Sequence, residues 1–278
     1  MTAVHTGLDV LRDNGWQPLR GRRVGLVCHP ASVDRELRHA ADLLAAAPDV
    51  ALAALFGPEH GFTGVAQDLI GVNDGTAGGL RVHSLYGKTF ASLKPTAEQL
   101  SGLDVLVIDL QDVGSRYYTF QATMLYCLEA AAAAGLPAVV LDRPNPVGGE
   151  VEGPALRGGF ESFVGPHDIA TRHGLTIGEL ARLYQAERNL NVDLQVIPCD
   201  AWRRDMFFED TALPWVLPSP NMPTVDTAVV YPGQCLLEGT NLSEGRGTTR
   251  PFELCGAPWI DPRELVRRLE ADGLPGVR

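Results

Sequence analysis

The stretch Asp104–Leu110, DVLVIDL, constrains this chain more than any other. It is apolar on both faces and rich in β-branched side chains, so it is satisfied only as a strand covered on both sides. Further runs of strand length lie at Arg23–Cys28, Val50–Phe56, Leu80–Leu85, Pro137–Leu141 and Asp193–Pro198. Helical patterns separate them, near Arg35–Ala46, at Gln121–Ala134 with an alanine-rich face, and at Thr176–Asn189, where Thr176 and Glu179 form a capping box. Thr96 caps a one-turn helix with Glu98 close behind, Thr224–Tyr231 suits a helix or a strand, and Pro262–Ala271 reads as a last helix. Strands alternating with helices predict an α/β fold, a Rossmann-like and mostly parallel sheet with flanking helices.

Residues 1–222 read as the sheet-bearing, Rossmann-like domain, and 223–278 as the start of a smaller C-terminal α+β domain. The terminal GLPGVR looks like the lead-in to another strand, so the polypeptide is expected to continue past Arg278.

Composition narrows the function. A formal charge of -11 argues against nucleic acid and anionic membranes, which would repel the chain, but it leaves room for a small anion held by local arginines. The five cysteines, Cys28, Cys127, Cys199, Cys235 and Cys255, form no CxxC pair, which suggests buried thiols rather than a disulfide framework or a zinc knuckle. MTAVHTGLDVLRDNG lacks the apolar stretch of a signal peptide and no later segment reads as a membrane span. As it stands the chain reads as cytoplasmic; removal of an export signal would leave the same pattern in a secreted or periplasmic protein.

In open α/β sheets ligands bind beyond the carboxyl ends of the strands, and the polar motifs fall there. After the second strand comes Phe56-Gly57-Pro58-Glu59-His60-Gly61-Phe62, with a carboxylate between turn residues and aromatics. Desolvation at such a place raises a glutamate's pKa toward the range of a proton donor. After DVLVIDL comes Gln111-Asp112-Val113-Gly114-Ser115-Arg116-Tyr117-Tyr118. Arg116 offers a fork for a ligand carboxylate or for Asp112, and the tyrosines a stacking face and a hydroxyl. Asp142-Arg143-Pro144-Asn145-Pro146 is rigid and mainly architectural, with Asn145 a candidate contact; His173 in RHG reads as a structural histidine or a proton handler. Pro218–Pro223 and Glu238–Phe252 crowd glutamates, arginines, threonines and glycines into loops well suited to binding a ligand. Neither GxxxxGK[ST], GxGxxG nor GxSxG occurs, so nucleotide, dinucleotide and serine acyl-transfer chemistry lack support.

In this order FGPEHGFTG, HSLYGK, DLQDVGSRYYTF, DRPNP, RHGLTIGELA, PSPNMP and YPGQCLLEGTNLSEGRGTTRPFELCGAP resemble the exo-β-N-acetylmuramidase (NamZ) family across nearly the whole chain. The resemblance implies an N-terminal Rossmann-like domain holding the cleft, a smaller C-terminal domain, and release of N-acetylmuramic acid from the non-reducing end of peptidoglycan fragments. The chain departs from the family at CHPASV, where members often carry an asparagine.

Residue chemistry suits that substrate. Glycoside cleavage generally uses two carboxyl groups. Glu59 is expected as general acid, and Asp112, Glu238 and Glu244 compete for the second role. Arg116 or Arg246 suits the lactyl carboxylate, Asn221 or Asn241 the acetamido group, and Tyr118 the ring face; His60, Gln111, Asn145, Ser243 and Thr248 complete the expected binding set. No cofactor and no metal are expected. Two other readings are a non-catalytic muropeptide-binding module, and a metal-dependent hydrolase or lyase using Glu59, His60 and Asp112.

Overall fold

The computed structural model describes residues 3–64, 66 and 71–273; Leu274–Arg278 of the GLPGVR stretch lie outside the described residues. Seven strands form one sheet: β1 (Arg22–Cys28), β2 (Val50–Gly57), β3 (Gly75–Ala77), β4 (Leu80–Ser84), β5 (Val105–Asp109), β6 (Ala138–Leu141) and β7 (Leu194–Ile197), in the order β3-β4-β2-β1-β5-β6-β7. Every neighbouring pair is parallel except β3 with β4. The chain winds outward from β1 to β4 and then crosses to β5 on the other side of β1. The order therefore reverses between β1 and β5, where α/β sheets open a crevice at their carboxyl ends.

The period-2 alternation of strand side chains builds two cores. From β5, Leu106 and Ile108 face α4 (Phe120–Ala134) and α5 (Ile177–Glu187), while Val105 and Val107 join the core under α1 (Gly7–Asp13) and α2 (Ala40–Ala45). All five β5 residues are buried; each such aliphatic side chain contributes about 1.5–3 kcal/mol. Phe56 and Leu55 of β2 divide between the two faces in the same way.

Most expected elements are present, with two instructive differences. The helix expected over Arg35–Ala46 is confined to Ala40–Ala45. Asp34 Oδ1 accepts the N–H groups of Glu36 and Arg38, and Leu37 sits in the left-handed region at φ 63, which closes a turn where a helix would run. The ambiguous Thr224 segment is helical: α6 (Val225–Gln234) starts where the Thr224 hydroxyl accepts from Thr227 N–H. The amphipathic α7 (Pro262–Ala271) follows, capped by Asp261.

Behind the strand tips, Asp142 caps α5: its carboxylate accepts from Gly178 N–H at 2.7 Å and from the Thr176 hydroxyl at 3.0 Å. Gly114 turns the chain after β5 at φ 81, and a Cβ there would stand 2.4 Å from both Asn145 Oδ1 and Val147 Cγ2. Gly114→Ala is expected to cost roughly 2–4 kcal/mol from backbone strain plus overpacking, measured as a lowered urea midpoint. An unchanged midpoint would contradict the close fit of this turn.

Candidate active site

At the carboxyl edge of the sheet lies a cavity of about 490 Å³, within the range of small-molecule sites. Glu59 lies on its wall in the turn after β2. It is only 5% exposed, and its Oε2 accepts from the Thr119 hydroxyl at 2.6 Å. Thr119 immediately precedes α4, so the start of that helix sets the direction of the carboxylate. Next to it His60 takes a left-handed conformation at φ 70 and donates from Nδ1 to the Ala66 carbonyl at 2.8 Å.

The wall across from the sheet comes from the C-terminal segment. Glu238, Arg246, Tyr231 and Phe252 line the cavity together with Ser219, Asn221 and Met222 of the PSPNMP loop. Arg246 holds Glu238 through Nη2 and Glu244 through Nε, the latter at 2.9 Å. Its guanidinium lies 5.3 Å from the Phe252 ring centroid. Phe252 itself is held in the left-handed region at φ 61, a conformation costing a bulky residue about 1–3 kcal/mol. Wedging its ring 4.8 Å from Tyr231 keeps it there.

Of the expected residues, the cavity gathers Glu59, His60, Tyr118, Asn221, Glu238 and Arg246 on its wall. The others stand back from it. Asp112 is buried behind the wall, accepting from Gly114 N–H at 2.6 Å and paired with His173 at 3.1 Å. His173 Nδ1 accepts from Leu175 N–H, so its Nε2 carries the proton toward Asp112 and the ring serves to orient that carboxylate. Arg116 spends Nη1 on the carbonyls of Pro154 and Ile169, which ties down the loop that brings Phe163 to the cavity. Gln111 donates to the Asp112 and Pro144 carbonyls, and Asn145 bonds Leu175 and Val147. Glu244 braces Arg246 from outside the wall. Thr248 caps its own turn through the Gly245 carbonyl, Ser243 pairs with Gly256 across an isolated bridge, and Asn241 is exposed.

Tyr118 does not offer its ring as expected. The ring is packed edge-on between Phe120 at 4.9 Å and Tyr231 at 6.0 Å, and the residue is 6% exposed. Its buried hydroxyl approaches Ser219 without closing a hydrogen bond of good geometry. Burial raises the pKa of Tyr118 and Tyr231, so both stay protonated donors. Tyr86 and Phe163, with ring centroids 5.8 Å apart and both only partly buried, also line the cavity. Burial likewise pushes the Cys235 thiol in the wall up to about 12, which argues against a thiolate nucleophile. All five cysteines are free.

Glu59, His60 and Asp112 do not converge their ligand atoms. Among the described residues the acidic group that does is Asp9 of α1 with Asp34 and Glu36, where Arg12, also of α1, bridges all of them.

No sequence pattern singles out Thr119, Ser219, Tyr231 or Phe252. Ser219 and Phe252 lie within the polar loops, but nothing local marks Thr119 as a partner of Glu59.

Residues 24–226 match the model of the exo-beta-N-acetylmuramidase NamZ N-terminal domain, and residues 229–278 that of the NamZ C-terminal domain. The chain belongs to the exo-β-N-acetylmuramidase NamZ family. It is 51% identical over 277 residues to the peptidoglycan beta-N-acetylmuramidase NamZ of Bacillus subtilis (strain 168), covering 99% of this chain and 66% of that relative. It thus spans slightly less than two thirds of that NamZ protein's length. Two crystal structures of DUF1343 family proteins from Bacteroides fragilis NCTC 9343 share the fold. One has a TM-score of 0.91 at 39% identity, covering 99% of this chain and 71% of the other. The second has a TM-score of 0.78 at 34% identity, covering 92% and 68%. Among the described residues no helix is long and apolar enough to cross a membrane.

Proposed function

We propose that this chain hydrolyses the terminal non-reducing β-1,4 bond of N-acetylmuramic acid in peptidoglycan fragments, with Glu59 as the general acid. The observation that carries this reading is a cavity whose wall includes a buried, hydrogen-bonded glutamate together with Glu238 and Arg246, in a chain half identical to a protein named for that activity. In this reading Glu59 delivers a proton to the glycosidic oxygen as its bond to the anomeric carbon breaks. Glu238 takes the second carboxylate role, because it shares the cavity wall with Glu59 and Asp112 and Glu244 do not.

The test is release of chromophore from a β-N-acetylmuraminide by the purified protein, beside the matching β-N-acetylglucosaminide. Release from the muraminide supports the proposal. Saturable binding without turnover would replace it with a binding module, and preference for the glucosaminide would change the substrate.

The two sugars differ by the lactyl carboxylate, and among the described residues Arg246 is the arginine on the cavity wall. A charge-assisted hydrogen bond is worth about 1.5–3 kcal/mol. Because Arg246 also holds Glu238, Arg246→Ala is expected to lower kcat/KM on both sugars, with a further loss of roughly tenfold or more on the muraminide. Equal losses on both would remove Arg246 from carboxylate recognition.

A further inference from the structure

His29 follows β1 at the reversal of the sheet order, and its side chain is fully buried. Its two ring nitrogens meet opposite partners. Gln111 N–H donates to Nε2 at 3.0 Å, and Nδ1 lies 3.2 Å from the Pro218 carbonyl oxygen. An amide N–H only donates and a carbonyl only accepts, so these partners assign a neutral ring with its proton on Nδ1. The ring also stands edge-on to Phe120, with centroids 4.7 Å apart.

Each partner leads into the cavity. Gln111 begins the turn that ends in Tyr117 and Tyr118 on the cavity wall. Phe120 opens α4 beside Thr119, whose hydroxyl holds Glu59. Pro218 precedes Ser219, Asn221 and Met222 on the wall. The backbone of His29 is pinned as well: its N–H donates to Ser32 Oγ at 2.9 Å, and its carbonyl accepts from His39 Nε2 at 3.0 Å.

We propose that His29, as its Nδ1–H tautomer, is the positioning residue that seats the Pro218–Met222 loop against the start of α4 and the turn after β5, and that protonating its imidazole parts the ring from that turn. A second ring proton would face Gln111 N–H, donor against donor, and the bond would be lost. The groups facing the ring are Arg143 with its partner Asp109 beyond the strand tips, His39 at the start of α2, and His60 in the turn after β2. Burial, then the Arg143 charge, then His39 and His60 push the His29 pKa well below its usual range, against a smaller rise from the Pro218 carbonyl. The sign follows from linkage. The folded pKa lies below the unfolded value of about 6.5, so the stabilisation is complete above that pH and is lost as pH falls toward the folded value.

The inference rests on the cavity's construction and not on the identity of its substrate. Trp215 supplies a reporter, because its indole N–H donates to the Met222 carbonyl at 3.3 Å. Nitrogen-proton NMR of the histidine rings, assigned with His29→Asn, is expected to show the Nδ1–H tautomer at neutral pH and no titration in the ordinary histidine range near about 6.5. His29→Leu offers neither donor nor acceptor. It is expected to move the Trp215 indole signal, assigned with Trp215→Phe, and to lower kcat/KM on the muraminide about tenfold. His29→Asn offers one donor and one acceptor without titrating. It is expected to restore the indole signal, to hold activity within about threefold of the parent, and to abolish the acid-side shift of the Gln111 amide signal.

An Nε2–H tautomer, ordinary titration of His29, or a folded Leu variant with an unmoved indole signal would overturn the proposal. If His29→Leu does not fold, the parent tautomer and the Asn variant still decide it. If no muraminide is turned over, the proposed activity fails while the NMR arms decide this inference separately.

Discussion

Replacing Glu59 by glutamine is expected to lower kcat on an aryl β-N-acetylmuraminide by about 10²–10⁴-fold, the usual contribution of a positioned proton donor. Binding of N-acetylmuramic acid should change by less than about threefold, because glutamine keeps the shape and still offers an acceptor to the Thr119 hydroxyl. What it cannot do is surrender a proton to the leaving oxygen. A distinctive signature follows. A very acidic phenol departs without assistance, so the loss should shrink as the leaving group's pKa falls. A loss equal across leaving groups would mark Glu59 as a residue of shape rather than a proton donor. Measuring which anomer forms first, by NMR, then reports on how the second carboxylate acts.

The largest expected effect on stability lies behind the site. Arg143 reaches from the end of β6 to Asp109 at the end of β5, with Nε 2.5 Å from Oδ1 and Nη2 2.8 Å from Oδ2, and Nη2 also donates to the Val33 carbonyl at 3.0 Å. The arginine is 4% exposed and the aspartate fully buried. Arg143→Met would leave that carboxylate in the sheet's interior without its cation, and the expected loss is about 3–5 kcal/mol in the free energy of urea unfolding. Adding Asp109→Leu should recover much of it, since a buried apolar pair avoids the uncompensated charge. A single-variant loss below about 1 kcal/mol would show that water reaches Asp109 and that the pair is not sealed. Because Arg143 also faces His29, the double variant separates the stability of the strand tips from the seating of the Pro218 loop.

Strands were the most legible elements, and the reason is local. β5 must be covered on both faces whatever surrounds it, and the period of β-branched residues says so within a few positions. The cap of α5 was equally plain, because Thr176 and Glu179 satisfy each other's neighbouring N–H groups without help from afar. Helix α1 carries a weaker local signal, because it is short and its box uses Asp9 in place of the usual glutamate. The helix expected from Arg35 starts only at Ala40 because Leu37 turns left-handed at φ 63 and Arg38 N–H bonds the Asp34 carboxylate instead of a helical carbonyl.

From the sequence alone came a Rossmann-like sheet, polar loops at its strand tips, and Glu59 set between turn residues at one of them. These follow from patterns short enough for neighbouring residues to dictate. Which carboxylates share a cavity was decided only by the tertiary structure. Asp112 lies on the more conspicuous motif, yet Gly114 and His173 claim its oxygen behind the wall. Glu238, in the helical turn Cys235–Gly239 far along the chain, comes to line the same cavity as Glu59. Tyr118 lost its expected stacking role because Phe120 and Tyr231 close on its ring. A side chain's partners depend on strand order and on where far-separated loops return, and no local pattern carries that information.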